Sequence, residues 1–243
     1  MKARRNKKHT DELTLIGHLD ELRWRLVVCG LALAGGVAVG FFFAAVLQDF
    51  LLHVPGDLVY LAPGEAFFTH LRLAVTIGLV LAAPMVLSQA AAFIAPGLTD
   101  GEKKYLYIGL PAAMLLFVSG VFFACKVMLP LTYAFFLGFG SDRLTAMISV
   151  GSYISFVLGL VIPFGVVFQL PLLVMILTGV GLVTPYFFKS NRKYAVLVIF
   201  ILAALLTPPD LISQMLMAGP LLLLYEFSVF MAALVYRRRT VLN

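Results

Sequence analysis

The chain has 243 residues, 62% of them hydrophobic and only 12% charged, with a mean hydropathy of +1.02. Soluble domains carry roughly 45–50% apolar and about 25% charged residues, so this composition excludes a soluble enzyme, a nucleic-acid module and a disordered tail. The net charge of +6 is therefore a matter of membrane sidedness, and the class is an integral membrane protein.

Residues 1–25 form a basic segment carrying Lys2, Arg4, Arg5, Lys7, Lys8, Arg23 and Arg25. Its last part, His18-Leu19-Asp20-Glu21-Leu22-Arg23-Trp24-Arg25, has the spacing of an amphipathic helix lying in the membrane interface. The uncharged run 26–47 follows, 22 residues long. A span needs about 20 and a signal-peptide core only about 7–15, so it reads as a retained helix. Gly36-x-x-x-Gly40 fits a close helix contact, and equally the ordinary abundance of glycine in spans.

Further spans are expected near 71–93, 105–127, 153–177, 194–207 and 211–236. The loop after the second begins Phe93-Ile94-Ala95-Pro96-Gly97, and Thr99 with Glu102 makes a capping box for the third. The uncharged run 144–188 is 45 residues long, and charge placement decides how often it crosses. One crossing puts Lys103, Lys104, Lys189, Arg192, Lys193, Arg237, Arg238 and Arg239 on the side of the basic N-terminus, and leaves the opposite loops with Arg143 alone. Two crossings would export the later clusters, against the positive-inside bias. The fold class is thus all-α and polytopic, with six transmembrane helices and both termini cytoplasmic.

Pro163, Gly165 and Pro171 should kink span four. Span five, 194–207, has 14 residues and ends in Thr207-Pro208-Pro209-Asp210, about 21 Å of helix. Thr207 or Asp210 is placed to cap the next helix. Kinked and unequal helices, with spans five and six taken as short, suggest one concave bundle over residues 1–243.

Ionisable and strongly polar groups inside a membrane need a reason. Gln169 in span four and Glu226 in span six fit either interhelical hydrogen bonds or a functional cavity. Arg72 and Lys126 lie near span ends, where long side chains snorkel. Cys29 and Cys125 sit in apolar runs, and His9, His18, His53 and His70 are scattered, so neither a disulfide framework nor metal spacing is present. No nucleotide-binding or nucleophile motif appears, and neither cofactor nor enzymatic activity is expected.

Several motifs in order resemble the TatC family, the signal-peptide receptor subunit of the twin-arginine protein translocase. They are His18-Leu-x-Glu21-Leu-Arg23; Leu61-Ala-Pro63-x-Glu65-Ala-Phe67; Phe93-Ile-Ala-Pro96-Gly-Leu98-x-x-x-Glu102; Phe164-Gly165-x-x-Phe168-x-x-Pro171; and Leu206-Thr207-Pro208-Pro209-Asp210-x-x-Ser213-Gln214, with Pro220 and Tyr225-Glu226 beyond. The resemblance implies that Glu21 and Glu102 receive the paired arginines of a substrate's signal peptide, with Arg23 and Phe93 in the same patch. A carboxylate accepts a guanidinium through two parallel hydrogen bonds, which an ammonium cannot reproduce. The resemblance further implies docking of the single-span partners TatA and TatB near Thr207, Asp210 and Gln214, contact with further copies of the same subunit, and residence in the inner (plasma) membrane. Folded cargo would cross on the protonmotive force. Two departures stand out: Gln169 replaces a glutamate usual in the family, and Ser88-Gln89-Ala90-Ala91 replaces a segment often rich in Tyr and Trp.

A secondary transporter with a midplane site at Gln169 and Glu226 would explain the intramembrane polar groups but leaves the two cytoplasmic carboxylate motifs without a role. A structural scaffold would use Glu21 and Glu102 only as caps or surface charges.

Overall fold

The structure is a computed structural model that describes residues 15–52, 58–138, 147–206 and 211–242. The first helix, α1 (Leu15–Leu52), is 38 residues long. At 1.5 Å per residue it reaches about 57 Å, well beyond roughly 30 Å of hydrocarbon. The ionic segment His18–Arg25, expected as an amphipathic helix, is the start of this helix. No glycine or proline interrupts His18 to Cys29, so the ionic segment extends the span as one rod.

Helix α2 (Glu65–Ile94) runs back along α1, and glycine sets how close the two come. A Cβ on Gly36 would stand 2.7 Å from the Gly78 carbonyl oxygen, one on Gly78 would stand 2.6 Å from the Val37 nitrogen, and one on Gly40 would strike the Ala74 carbonyl. The Gly36-x-x-x-Gly40 pattern is thus a backbone-to-backbone contact.

After a 3-10 turn at Ala95–Gly97, α3 (Asp100–Phe123) passes through a π-helical turn, Ala124–Met128, into α4 (Leu129–Leu137). Pro130 accounts for the wide turn, since it offers no N–H to the Lys126 carbonyl. Instead, the Leu129 N–H reaches back to the Ala124 oxygen.

Span four consists of α5 (Val150–Val167) and α6 (Leu170–Val180). Pro171 cannot donate to the Val167 carbonyl, so the helix breaks at Phe168-Gln169 and restarts. The Ser149 hydroxyl caps α5 by accepting the Ser152 N–H at 3.1 Å. Gly181, with φ of 86°, closes α6. The short α7 (Pro185–Ser190) leads to α8 (Arg192–Leu206) and α9 (Leu211–Leu242).

Among the described residues, five apolar stretches are long enough to cross a membrane, and α8, with 15 residues, is the shorter sixth. Of the two spans expected to be short, α8 is so, at about 22 Å. By contrast α9 has 32 residues, 24 of them in the apolar stretch Gln214–Arg237. Nothing between Leu221 and Leu242 breaks the helix, so it continues into the basic C-terminal segment.

The helices form an open wall. α1 packs along α2, α2 against α3 and α5, α3 against α5 and α6, and α6 against α9, which carries α7 and α8. α5 is the centre, burying Tyr153, Ile154, Val157, Leu160 and Phe164. Tyr153 donates its hydroxyl to the Leu51 carbonyl at 3.2 Å, tying the end of α1 to this core.

At the end remote from the basic loops, a two-residue parallel bridge joins Val59 to Ser149, with Val59 N–H donating to Ile148 O and Val150 N–H to Val59 O, both at 3.1 Å. The Glu65 carboxylate clasps the same two segments, accepting the Leu61 N–H at 2.8 Å and the Gly151 N–H at 2.6 Å. A Cβ at Gly151 would meet a Glu65 oxygen at 2.8 Å, so glycine admits the carboxylate there. Glu65→Ala should lower the unfolding temperature in detergent more than Glu65→Gln, which keeps one acceptor oxygen for one of the two N–H groups and loses the other. At the α1–α2 contact, Gly78→Leu should cost about 1–3 kcal/mol by overpacking, checked by chemical unfolding in detergent.

Candidate functional site

At the basic end of the bundle, His18, Glu21 and Arg25 share one face of α1, being three and four residues apart. The Arg25 Nε donates to Glu21 Oε1 at 3.0 Å, and its Nη2 reaches the same oxygen. Nη1 donates to Gln89 Oε1 of α2 at 3.0 Å, and Nη2 also donates to the Ala92 carbonyl at 3.1 Å. Both side chains are mostly covered, with 21% and 22% exposed. The His18 Nδ1 lies 3.7 Å from Glu21 Oε2, and its ring stacks on Phe93 at 4.3 Å between centroids.

An apolar groove of about 290 Å³ opens on the other side of the α2 C-terminus. Ala90, Ala91 and Ile94 line it from α2, Leu106 and Leu110 from α3, and Leu172 and Ile176 from α6. Gln169 stands at its floor and Leu98, in the loop beyond α2, at its edge. Glu21, Phe93 and this groove thus gather around the last two turns of one helix.

The other expected residues fall as follows. Arg23 is exposed on α1, and lies two positions from Glu21, hence across the helix from it. Arg25 is the arginine beside the carboxylate. Glu102 belongs to the first turn of α3, and its side chain lies outside the described residues. Thr99 directly precedes that helix, and its carbonyl accepts the Lys103 N–H at 3.0 Å. Thr207 and Asp210 also lie outside the described residues. Gln214 donates to the Phe200 carbonyl at 2.9 Å, joining α9 to α8.

Gln169 and Glu226 each have their own partners. Gln169 sits at the break between α5 and α6 and donates to the Ala113 carbonyl of α3 at 3.1 Å, while its buried Oε1 accepts nothing. Glu226 accepts from Arg192 at 2.7 Å, a pair with both side chains 51% exposed. Beside it the Tyr225 hydroxyl donates to the Phe188 carbonyl at 2.8 Å. Arg72 donates to the Ser155 hydroxyl, and Lys126 lies 5.6 Å from the Phe50 ring centroid.

Sequence reading missed His18, Arg25 and Gln89. The first two were signalled by their i−3 and i+4 spacing from Glu21. Gln89 carried only the negative signal of a small polar segment where aromatics are usual. No cluster of three metal-ligating side chains occurs among the described residues.

Fold and site together define a multi-pass helical membrane protein with a carboxylate and a stacked aromatic pair on one side of the α2 C-terminus and an apolar groove on the other. Residues 17–220 match the family described as Sec-independent protein translocase protein (TatC). The TatC of Carboxydothermus hydrogenoformans is 42% identical over 225 residues, covering 90% of this chain and 93% of that protein. The TatC of Aquifex aeolicus is 37% identical over 235 residues, covering 93% and 98%. Among solved structures, a crystal structure described as the twin arginine translocase receptor TatC superposes with a TM-score of 0.82 at 38% identity, covering 90% of this chain and 99% of that one. The chain belongs to the TatC family: it is a core subunit of the twin-arginine protein translocase and not an enzyme. Membership of that family does not favour the small-solute transporter.

Gln169→Leu should change stability by less than about 1 kcal/mol, because the lost hydrogen bond is offset by removing a buried oxygen that has no donor. Equilibrium unfolding of the two proteins in the same detergent checks this.

Proposed function

We propose that this subunit is the receptor for twin-arginine signal peptides, residing in the inner (plasma) membrane with its basic end and both termini in the cytoplasm. The observation that carries the reading is the Glu21 carboxylate, held in guanidinium-binding geometry against the last turns of α2, whose other side lines the apolar groove. A signal peptide joins arginines to an apolar stretch, and the site offers the complement of both in the same order. Glu21 and Glu102 take the two arginines, Phe93 supplies an apolar contact, and Arg23 sets the local charge. The apolar stretch then lies along the groove, with Gln169 at its floor.

Residues 1–243 act as a single membrane domain in this reading. The single-span partners TatA and TatB dock at the junction of α8 and α9, near Thr207, Asp210 and Gln214. Exposed Leu205, Leu211 and Met215 support an apolar edge there, and the Gln214 hydrogen bond to Phe200 holds the two helices as one surface. Further copies of the subunit complete the assembly, and transport of folded cargo draws on the protonmotive force. Gln169 and Glu226 serve as interhelical ties rather than as a solute site.

The test is binding of a twin-arginine signal peptide, and its twin-lysine counterpart, to the purified protein in detergent. A charge-assisted hydrogen bond contributes about 1.5–3 kcal/mol, so the Glu21→Gln/Glu102→Gln variant should bind the arginine peptide at least roughly tenfold more weakly. Equal binding of both peptides, unaffected by the substitutions, would overturn the receptor reading.

A further inference from the structure

The arginine beside Glu21 is held by more than an ordinary helix-surface ion pair. Three acceptors from two helices converge on the one guanidinium: the Glu21 carboxylate, the Gln89 amide oxygen and the Ala92 carbonyl. The Ala92 carbonyl is available because the residue four positions later is Pro96, which has no N–H to give it. The C-terminal end of α2 adds partial negative charge at the same point. Gln89 turns its amide nitrogen toward the Met85 sulfur at 3.8 Å and leaves its oxygen for Arg25. The stacked His18 and Phe93 rings close one side.

A guanidinium is planar and presents five N–H donors in a fixed fork. Here Nε, Nη1 and Nη2 are all engaged, with Nη2 serving two acceptors. An ammonium carries its three donors on one atom and cannot meet three acceptors spread around such a plane.

We infer that Glu21, Gln89 and the Ala92 carbonyl form a guanidinium cradle that Arg25 fills in cis, and that a ligand's arginine enters by displacing Arg25. The inference rests on the receptor reading for the identity of the ligand, but the cradle is defined by this chain alone. Arg25 is then a built-in competitor. The three acceptors select a guanidinium over an ammonium, and the resident side chain lowers apparent affinity for every ligand by the same factor, so that only a well-matched arginine still binds measurably. Once displaced, Arg25 has a long stem that lets its charge swing to the aqueous interface.

The experiment uses the full chain in detergent with two probes, methylguanidinium and a twin-arginine signal peptide, against wild type, Arg25→Ala and Glu21→Gln/Arg25→Ala. Methylguanidinium should bind Arg25→Ala saturably by thermal shift or calorimetry, while methylammonium does not. Wild type should need about tenfold more of it for the same response, and the double variant should give none. The peptide should bind Arg25→Ala roughly tenfold tighter than wild type, the factor expected if Arg25 occupies the cradle about nine-tenths of the time. Arg25→Gln repeats both arms should Arg25→Ala not fold.

Methylguanidinium that does not distinguish Arg25→Ala from wild type overturns the cradle. Peptide affinity that falls in Arg25→Ala overturns the displacement and makes Arg25 a support for Glu21. Failure of the receptor reading alone looks different: methylguanidinium still enters Arg25→Ala, and the twin-arginine peptide binds neither protein.

Discussion

The backbone contact of α1 on α2 at Gly36, Gly40 and Gly78 is the constraint on which the site depends. It fixes the register of two long antiparallel helices where no side chain can intervene. From Gly36 back to Arg25, and from Gly78 forward to Gln89, the chain covers the same distance, about three helical turns. The cradle therefore lies where the two helices, once in register, bring Glu21 and Arg25 opposite Gln89 and Phe93. A slip of one residue on either helix would rotate these side chains off the shared face.

A second regularity is that polar side chains within the bundle end on backbone carbonyls of neighbouring helices. Tyr153 reaches Leu51, Gln169 reaches Ala113, Gln214 reaches Phe200, Tyr225 reaches Phe188 and Arg25 reaches Ala92. In hydrocarbon an unpaired donor is costly, and the second lone pair of a carbonyl is an acceptor that every helix carries. Each such bond joins two elements without a second polar side chain. This lets a chain with so few charges hold kinked and unequal helices together.

Composition and charge placement were enough to read the membrane class and the helical, multi-span fold, because bilayer thickness acts on long runs of residues. Proline also spoke clearly: Pro171 marked the break in span four. Less legible were the features made by two segments far apart in sequence. Glu65 appeared only as part of a motif, while its use is to hold Leu61 and Gly151 together across 86 residues. Arg25 was passed over for Arg23 because the motif spelled out the neighbour, although helical spacing favoured the fourth residue. Gln89 gained meaning only when α1 was laid beside it.

The length of α1 and the position of its glycines have a mechanical consequence. The contact at Gly36 and Gly40 falls near the middle of a 38-residue rod, so the helix is supported at a fulcrum with two arms of similar length. One arm ends near Glu21, and the other ends where the Leu51 carbonyl meets Tyr153 and Phe50 meets Lys126. A rigid tilt of about 5° about that point moves both ends by roughly 2 Å in opposite directions, given 1.5 Å of rise per residue. A disturbance at one membrane face is thereby geometrically tied to the hydrophobic centre of α5 near the other face, through a single lever and without any change in secondary structure.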